Sequence, residues 1–192
     1  MPNWNSTAVI VTGPSKDISD LYNIMCSLEE ADKPTIENGF GNRWYGCLVE
    51  ALGAKWDKVR CRGSWYDVEK YDENTLKWWD ETAWGPLTEV FDVIEKHYPD
   101  VEIYWQCEEP GMSIYASNDI NHKFFNTQFI FYYDEFEQSE YFDSEDELLD
   151  FVNDYLKDKS DIKVDKPIKT LEELDKFMED SDDFCYYKYK YY

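Results

Sequence analysis

Apolar and polar positions along the chain fall into short alternating runs and helical repeats. Ala8-Val9-Ile10-Val11-Thr12 has the pattern of a buried strand, stopped by Gly13-Pro14. Ile18, Leu21, Tyr22, Met25 and Leu28 then recur at helical spacing, with Ser15 placed to cap that helix. Residues 31–43 hold Pro34, Gly39 and Gly41 and read as a loop. Trp44, Cys47, Leu48, Ala51 and Leu52 share one face of a short helix that Gly53 ends. Two strands are expected over Lys58–Asp67 and Thr75–Asp80, joined by polar residues 69–74. Pro86 suits a first helical turn, and Leu87, Val90, Phe91 and Ile94 supply the apolar stripe behind it.

Val101, Ile103, Trp105 and Cys107 alternate with Glu102, Tyr104 and Gln106, so a half-buried strand is expected there. Pro110-Gly111 turns the chain into a strand at Met112–Ser117, and Lys123–Tyr133 is a further strand rich in Phe and Tyr. Ser144 with Glu147 and Thr170 with Glu173 form capping-box patterns ahead of two helices. The tail from Tyr186 alternates tyrosine with Lys188 and Lys190, as an edge strand protected by lysine would. The order of elements predicts an α+β chain, an antiparallel sheet with helices on one face. Residues 1–118 read as the core domain and 119–192 as an acidic C-terminal α/β extension packed on or beside it.

Charge sharpens this picture. The 192 residues carry 42 acidic and 19 basic side chains, a formal net charge of −23. Residues 101–150 hold 13 of the acids and one base, Lys123. Asp134, Glu135, Glu137, Glu140, Asp143, Glu145, Asp146, Glu147 and Asp150 follow one another with no cation between them. A surface of this sign repels phosphate, which argues against direct binding of nucleic acid or anionic membrane. The N-terminus has no basic n-region, and no stretch approaches the roughly 18 apolar residues of a membrane span, so a cytoplasmic protein is expected. Five widely spaced cysteines without a C-x-x-C read as reduced, packed thiols.

Four short segments carry a resemblance. They are Met1-Pro2-Asn3-Trp4 with Val11-Thr12-Gly13, then Ala54-Lys55-Trp56-Asp57, then Thr82-Ala83-Trp84-Gly85-Pro86 with Tyr98-Pro99-Asp100-Val101, and finally Glu109-Pro110-Gly111-Met112. In that order and spacing they resemble the YubB-type ferredoxin-like domain of plasmid, phage and symbiont-associated proteins, over residues 1–118. Gly53-Ala54 stands where that pattern has Gly-Thr, and Leu87 where it has a second proline. The resemblance implies a ferredoxin-like core and a mobile-element setting, and it brings no catalytic residues with it.

No phosphate-binding loop, nucleophile elbow or metalloprotease motif is present, and neither His97 nor His122 stands at metal-finger spacing to a cysteine. No cofactor and no metal are expected. Lys55, Lys58, Arg60 and Arg62, near Trp56 and Trp65, form the one basic cluster and are expected to pair with neighbouring acids. Two functions remain open. In the first, the protein is a non-enzymatic phage or plasmid product. Its acidic surface (Asp134, Glu135, Glu137, Glu140, Asp143, Glu145 and Asp146) occupies the DNA channel of a basic host nucleic-acid-binding protein, such as a restriction or CRISPR nuclease. Glu147 is a poorer contact because the capping box uses it. In the second, Trp56, Trp84 and Trp105 with Glu108 or Glu109 line a small-ligand or catalytic pocket.

Overall fold

The computed structural model describes residues 3–133, 138–158, 166–178 and 184–192. The chain is mixed α+β and divides into two compact units. One runs to Phe124 and takes in Tyr191–Tyr192; the other is Phe125–Lys190. The first contains β1 (Trp4–Thr12), α1 (Ser15–Glu29), α2 (Tyr45–Ala51), β2 (Gly63–Lys70), β3 (Thr75–Ala83), α3 (Thr88–His97), β4 (Glu102–Glu109) and β5 (Ile114–Ser117). The second contains β6 (Phe129–Tyr133), β7 (Gln138–Phe142), α4 (Glu145–Asp158), α5 (Leu171–Met178) and β8 (Cys185–Lys188). A last short strand, β9 (Lys190–Tyr191), returns to the first sheet.

The first sheet has the order β2-β3-β1-β4-β5-β9. The pairs β2–β3, β3–β1, β1–β4 and β4–β5 are antiparallel. Register sets the inward-facing side chains in rows across the strands. Leu76, Val11 and Ile103 form one row, and Trp78, Val9 and Trp105 the next. Against these rows α1 packs Ile18, Leu21, Met25 and Leu28, and α3 packs Val90, Phe91 and Ile94, all in one buried core. The strand period of two and the helix period of 3.6 thus meet on one face of the sheet. Gly46 lets the Trp44 ring fold over the start of α2, since a Cβ there would lie 2.3 Å from the indole.

Several boundaries differ from the sequence expectation, each for a local reason. Ser15 is the first helical residue and not the cap; Pro14 holds that position without a side-chain bond. The strand expected from Lys58 begins at Gly63, because Trp56–Lys58 closes a 3₁₀ turn whose first N–H donates to Glu50 Oε1 at 3.1 Å. The helix behind Pro86 starts at Thr88, with Leu87 as its cap. Residues 119–124, read from sequence as part of the extension, stay with the first unit. The Asp119 carboxylate accepts the N–H groups of Lys123 at 2.9 Å and Phe124 at 2.7 Å, and Asn118 donates to the Ile103 carbonyl at 2.7 Å.

The second unit has its own sheet, β7-β6-β8, and its own core. Phe129, Phe131, Leu148, Val152, Leu156, Leu174 and Phe184 are buried together. Both caps form, with each glutamate returning to the N–H one residue before the cap. Ser144 Oγ accepts the Glu147 N–H at 3.3 Å while Glu147 reaches back to the Asp143 N–H at 3.0 Å. Thr170 Oγ1 accepts the Glu173 N–H at 3.2 Å, and Glu173 returns to the Lys169 N–H at 2.8 Å. Ser144→Ala is expected to lower the stability of this unit by about 1 kcal/mol, read as a lower urea midpoint with an unchanged slope.

Candidate functional site

The acidic run divides over three settings. Asp134, Glu135 and Glu137 lie outside the described residues. Glu140 is exposed on β7, and Asp143 is exposed in the turn that enters α4. Glu145, Asp146 and Glu147 form the first turn of α4, where the exposed amide ends of the helix favour negative charge. Beyond them Asp150 and Asp154 also face solvent. Asp146, Asp150 and Asp154 are four residues apart, so they line one stripe of the helix at intervals of roughly 6 Å. Asp154 pairs with Lys157 at 2.7 Å. Among the described residues no Lys or Arg lies within ion-pair distance of Glu140, Asp143, Glu145, Asp146 or Asp150. Sequence reasoning did not single out Asp154; its i+8 offset from Asp146 was the available signal.

The tryptophan and carboxylate set has a different fate. Trp105 is buried in the inner face of β4, 6% exposed. Trp56 stands on the surface, 40% exposed, edge-on to Trp44 with ring centroids 5.3 Å apart. Trp84 is 48% exposed and sits in the left-handed backbone region at φ 71°, a conformation a bulky side chain rarely adopts. Glu108 and Glu109 are consecutive on a strand and so point to opposite faces. Glu109 is the buried one, and its Oε1 accepts the Gly111 N–H at 3.0 Å. The cavities of the first unit include one of about 350 Å³ beside Ile24, Leu28 and Ala51 and one of about 470 Å³ beside Leu52 and His97. None of the five residues lines either.

A polar group that sequence reasoning missed lies inside the first unit. The inner face of β1 and β3 turns from apolar to polar at one end, where Thr7 pairs in register with Asp80 and Asn5 with Thr82. All four side chains are buried. Trp78 Nε1 donates to the Tyr45 hydroxyl at 2.7 Å, and that hydroxyl donates to Asp80 Oδ2 at 2.7 Å. Asn5 Nδ2 donates to Thr7 Oγ1 at 2.8 Å, and Thr82 Oγ1 donates to the Gly85 carbonyl at 2.8 Å. Among the described residues, Asp80 Oδ1 and Asn5 Oδ1 have no hydrogen-bond partner. Burial raises the Asp80 carboxyl to about 7, against the opposing hydrogen bonds from Tyr45 and Thr7. The Tyr45 hydroxyl is pushed well above its ordinary range by the same burial and by the neighbouring carboxylate. None of these side chains lines either cavity.

No family model, curated protein or solved structure matches the chain.

Reactive-group chemistry is equally sparse. Burial raises the Cys61 thiol to about 11 and the Cys107 thiol to about 12, which keeps both in the unreactive protonated form at neutral pH. Among the described residues no group of three His, Cys, Asp or Glu side chains is placed to hold a metal ion. No described helix is long and apolar enough to cross a membrane. Three cations of the basic cluster have partners: Lys55 meets Glu50 at 3.3 Å, Lys58 meets Asp57 at 3.5 Å, and Arg60 donates to the Ala83 carbonyl at 2.6 Å.

Proposed function

We propose that the protein is a non-enzymatic product of a phage or plasmid. Its acidic surface occupies the DNA-binding channel of a basic host nuclease, of restriction or CRISPR type, in the cytoplasm. One observation carries the reading. On α4, Glu145, Asp146 and Asp150 are exposed carboxylates with neither a capping role nor an ion pair among the described residues, over roughly 8 Å of helix, and Asp143 and Glu140 continue the negative surface on the approach to it. One strand of duplex DNA presents a charge every ~3.4 Å of axis, a comparable density. Carboxylates held outward on a folded helix need no rearrangement to meet the Lys and Arg of such a channel. The mobile-element setting rests on the motif resemblance. A ferredoxin-like core is consistent with the chain order βααββαβ, in which α2 is an addition to βαββαβ, and with the strand order β2-β3-β1-β4.

The test keeps the capping residues Ser144 and Glu147 and reverses Glu140, Asp143, Asp146 and Asp150 to lysine, with circular dichroism to confirm the fold. The parent protein is expected to retain a host nuclease at low salt. Both high salt and added duplex DNA should release it, and the reversed variant should retain none. Retention that is indifferent to salt, to duplex DNA and to the reversals would overturn the reading.

A further inference from the structure

The 470 Å³ cavity of the first unit opens where the end of α3 meets the loop after α2. Its size is that of a small-ligand pocket. Leu52, Ala54, Val59 and Val93 form an apolar floor, partly or wholly buried, and Lys55, Lys58 and Lys96 stand around it. His97 makes one wall, held by its Nδ1–H on the Leu52 carbonyl at 3.1 Å. Three lysines at one opening is unexpected in a chain with 19 basic residues against 42 acidic ones.

The lysines are weakly engaged. Lys55 and Lys58 are 74% and 78% exposed in their side chains, and their contacts to Glu50 and Asp57 are surface ion pairs. Such pairs contribute little and exchange partners readily. No ion pair or hydrogen bond engages the Lys96 ammonium among the described residues. An apolar floor with cations at its rim matches one ligand chemistry, an aromatic or aliphatic body ending in an anionic head. The body removes the floor from water, and the head draws the ammonium groups inward.

We infer that this cavity binds a small organic anion of that class, independently of the acidic surface on the other unit. The test is a titration followed by ¹H–¹⁵N spectra at fixed ionic strength, with phenyl phosphate, inorganic phosphate and benzyl alcohol as probes. Phenyl phosphate is expected to give saturable shifts at Gly53, Ala54, Lys55, Val59, Val93 and Lys96, and to bind at least about tenfold more tightly than either part alone. Lys58→Gln with Lys96→Gln is expected to weaken it at least about tenfold while the rest of the spectrum stays in place. Both lysines are exposed, so the fold does not depend on them. Equal affinity for inorganic phosphate, unchanged affinity in the double variant, shifts scattered over other lysines, or no saturable shift would each overturn the assignment.

Discussion

Asp80→Asn is expected to be more stable than the parent at pH 8 and to lose the pH dependence that the parent shows between about pH 4 and pH 7. The Asp80 carboxyl is fully buried, and burial raises it to about 7 from an ordinary value of 3.8. Across that window the folded state holds a proton that the unfolded state has released. Folding stability is therefore greatest below about pH 4 and falls as pH rises towards 7, by on the order of 4 kcal/mol in total. Above pH 7 this group adds no further change. An asparagine keeps an oxygen to accept from the Tyr45 hydroxyl and carries no charge to bury. The rising negative charge of the whole molecule also lowers stability with pH, so the decisive quantity is the difference between variant and parent urea midpoints from pH 4.5 to 8.5. A difference that stays constant across that range would show that Asp80 does not titrate in the folded state.

Phe131→Ala is expected to remove about 3–5 kcal/mol from the second unit and leave the first standing. The Phe131 ring is fully buried and meets Phe151, Tyr155 and Phe184 at centroid distances of 5.9, 6.0 and 5.7 Å. Its loss leaves a cavity at the centre of that cluster. The two units can be followed separately because all 8 tryptophans lie at or before Trp105, in the first unit. Tryptophan fluorescence should keep its parental transition while far-ultraviolet circular dichroism gains an earlier one. Coincident shifts in both signals would mean that the two units unfold as one cooperative block.

Much of this architecture was legible wherever one side chain type filled each face. The stripe Ile18, Leu21, Met25 and Leu28 is buried as the helical spacing requires. The alternation through Ile103, Trp105 and Cys107 marks the inner face of β4. Both caps were readable because their chemistry is local. Polar residues on an inward face hid the rest. Asn5 and Thr7 point into the core, so β1 looked four residues shorter than it is. Asp80 continues the inward series Leu76, Trp78, Asp80 and Thr82 on β3. That register was its one signal, and among 42 acids it carried little weight. The strand β7 was hidden inside the acidic run for a different reason, since Gln138, Glu140 and Tyr141 are all exposed and leave no apolar face to mark it. The tryptophan and carboxylate set is spread by strand alternation and the surface turn at Trp84, which leave Trp105 and Glu109 buried and Trp56 and Trp84 on the surface.

The short strand β9 has a consequence for how the molecule comes apart. The chain leaves the first unit after Phe124 and rejoins it at Tyr191, where Tyr192 N–H donates to the Ser117 carbonyl at 3.0 Å and the Tyr191 ring meets His122 edge-on. The second unit is thus moored at both ends. While it stays folded, the span between the moorings is held by its own packing. Once it melts, residues 125–190 become a slack loop whose closure costs roughly 4 kcal/mol, more than a strand of two residues supplies. Melting the second unit should therefore release β9 and bare the backbone edge of β5, an invitation to intermolecular strand pairing.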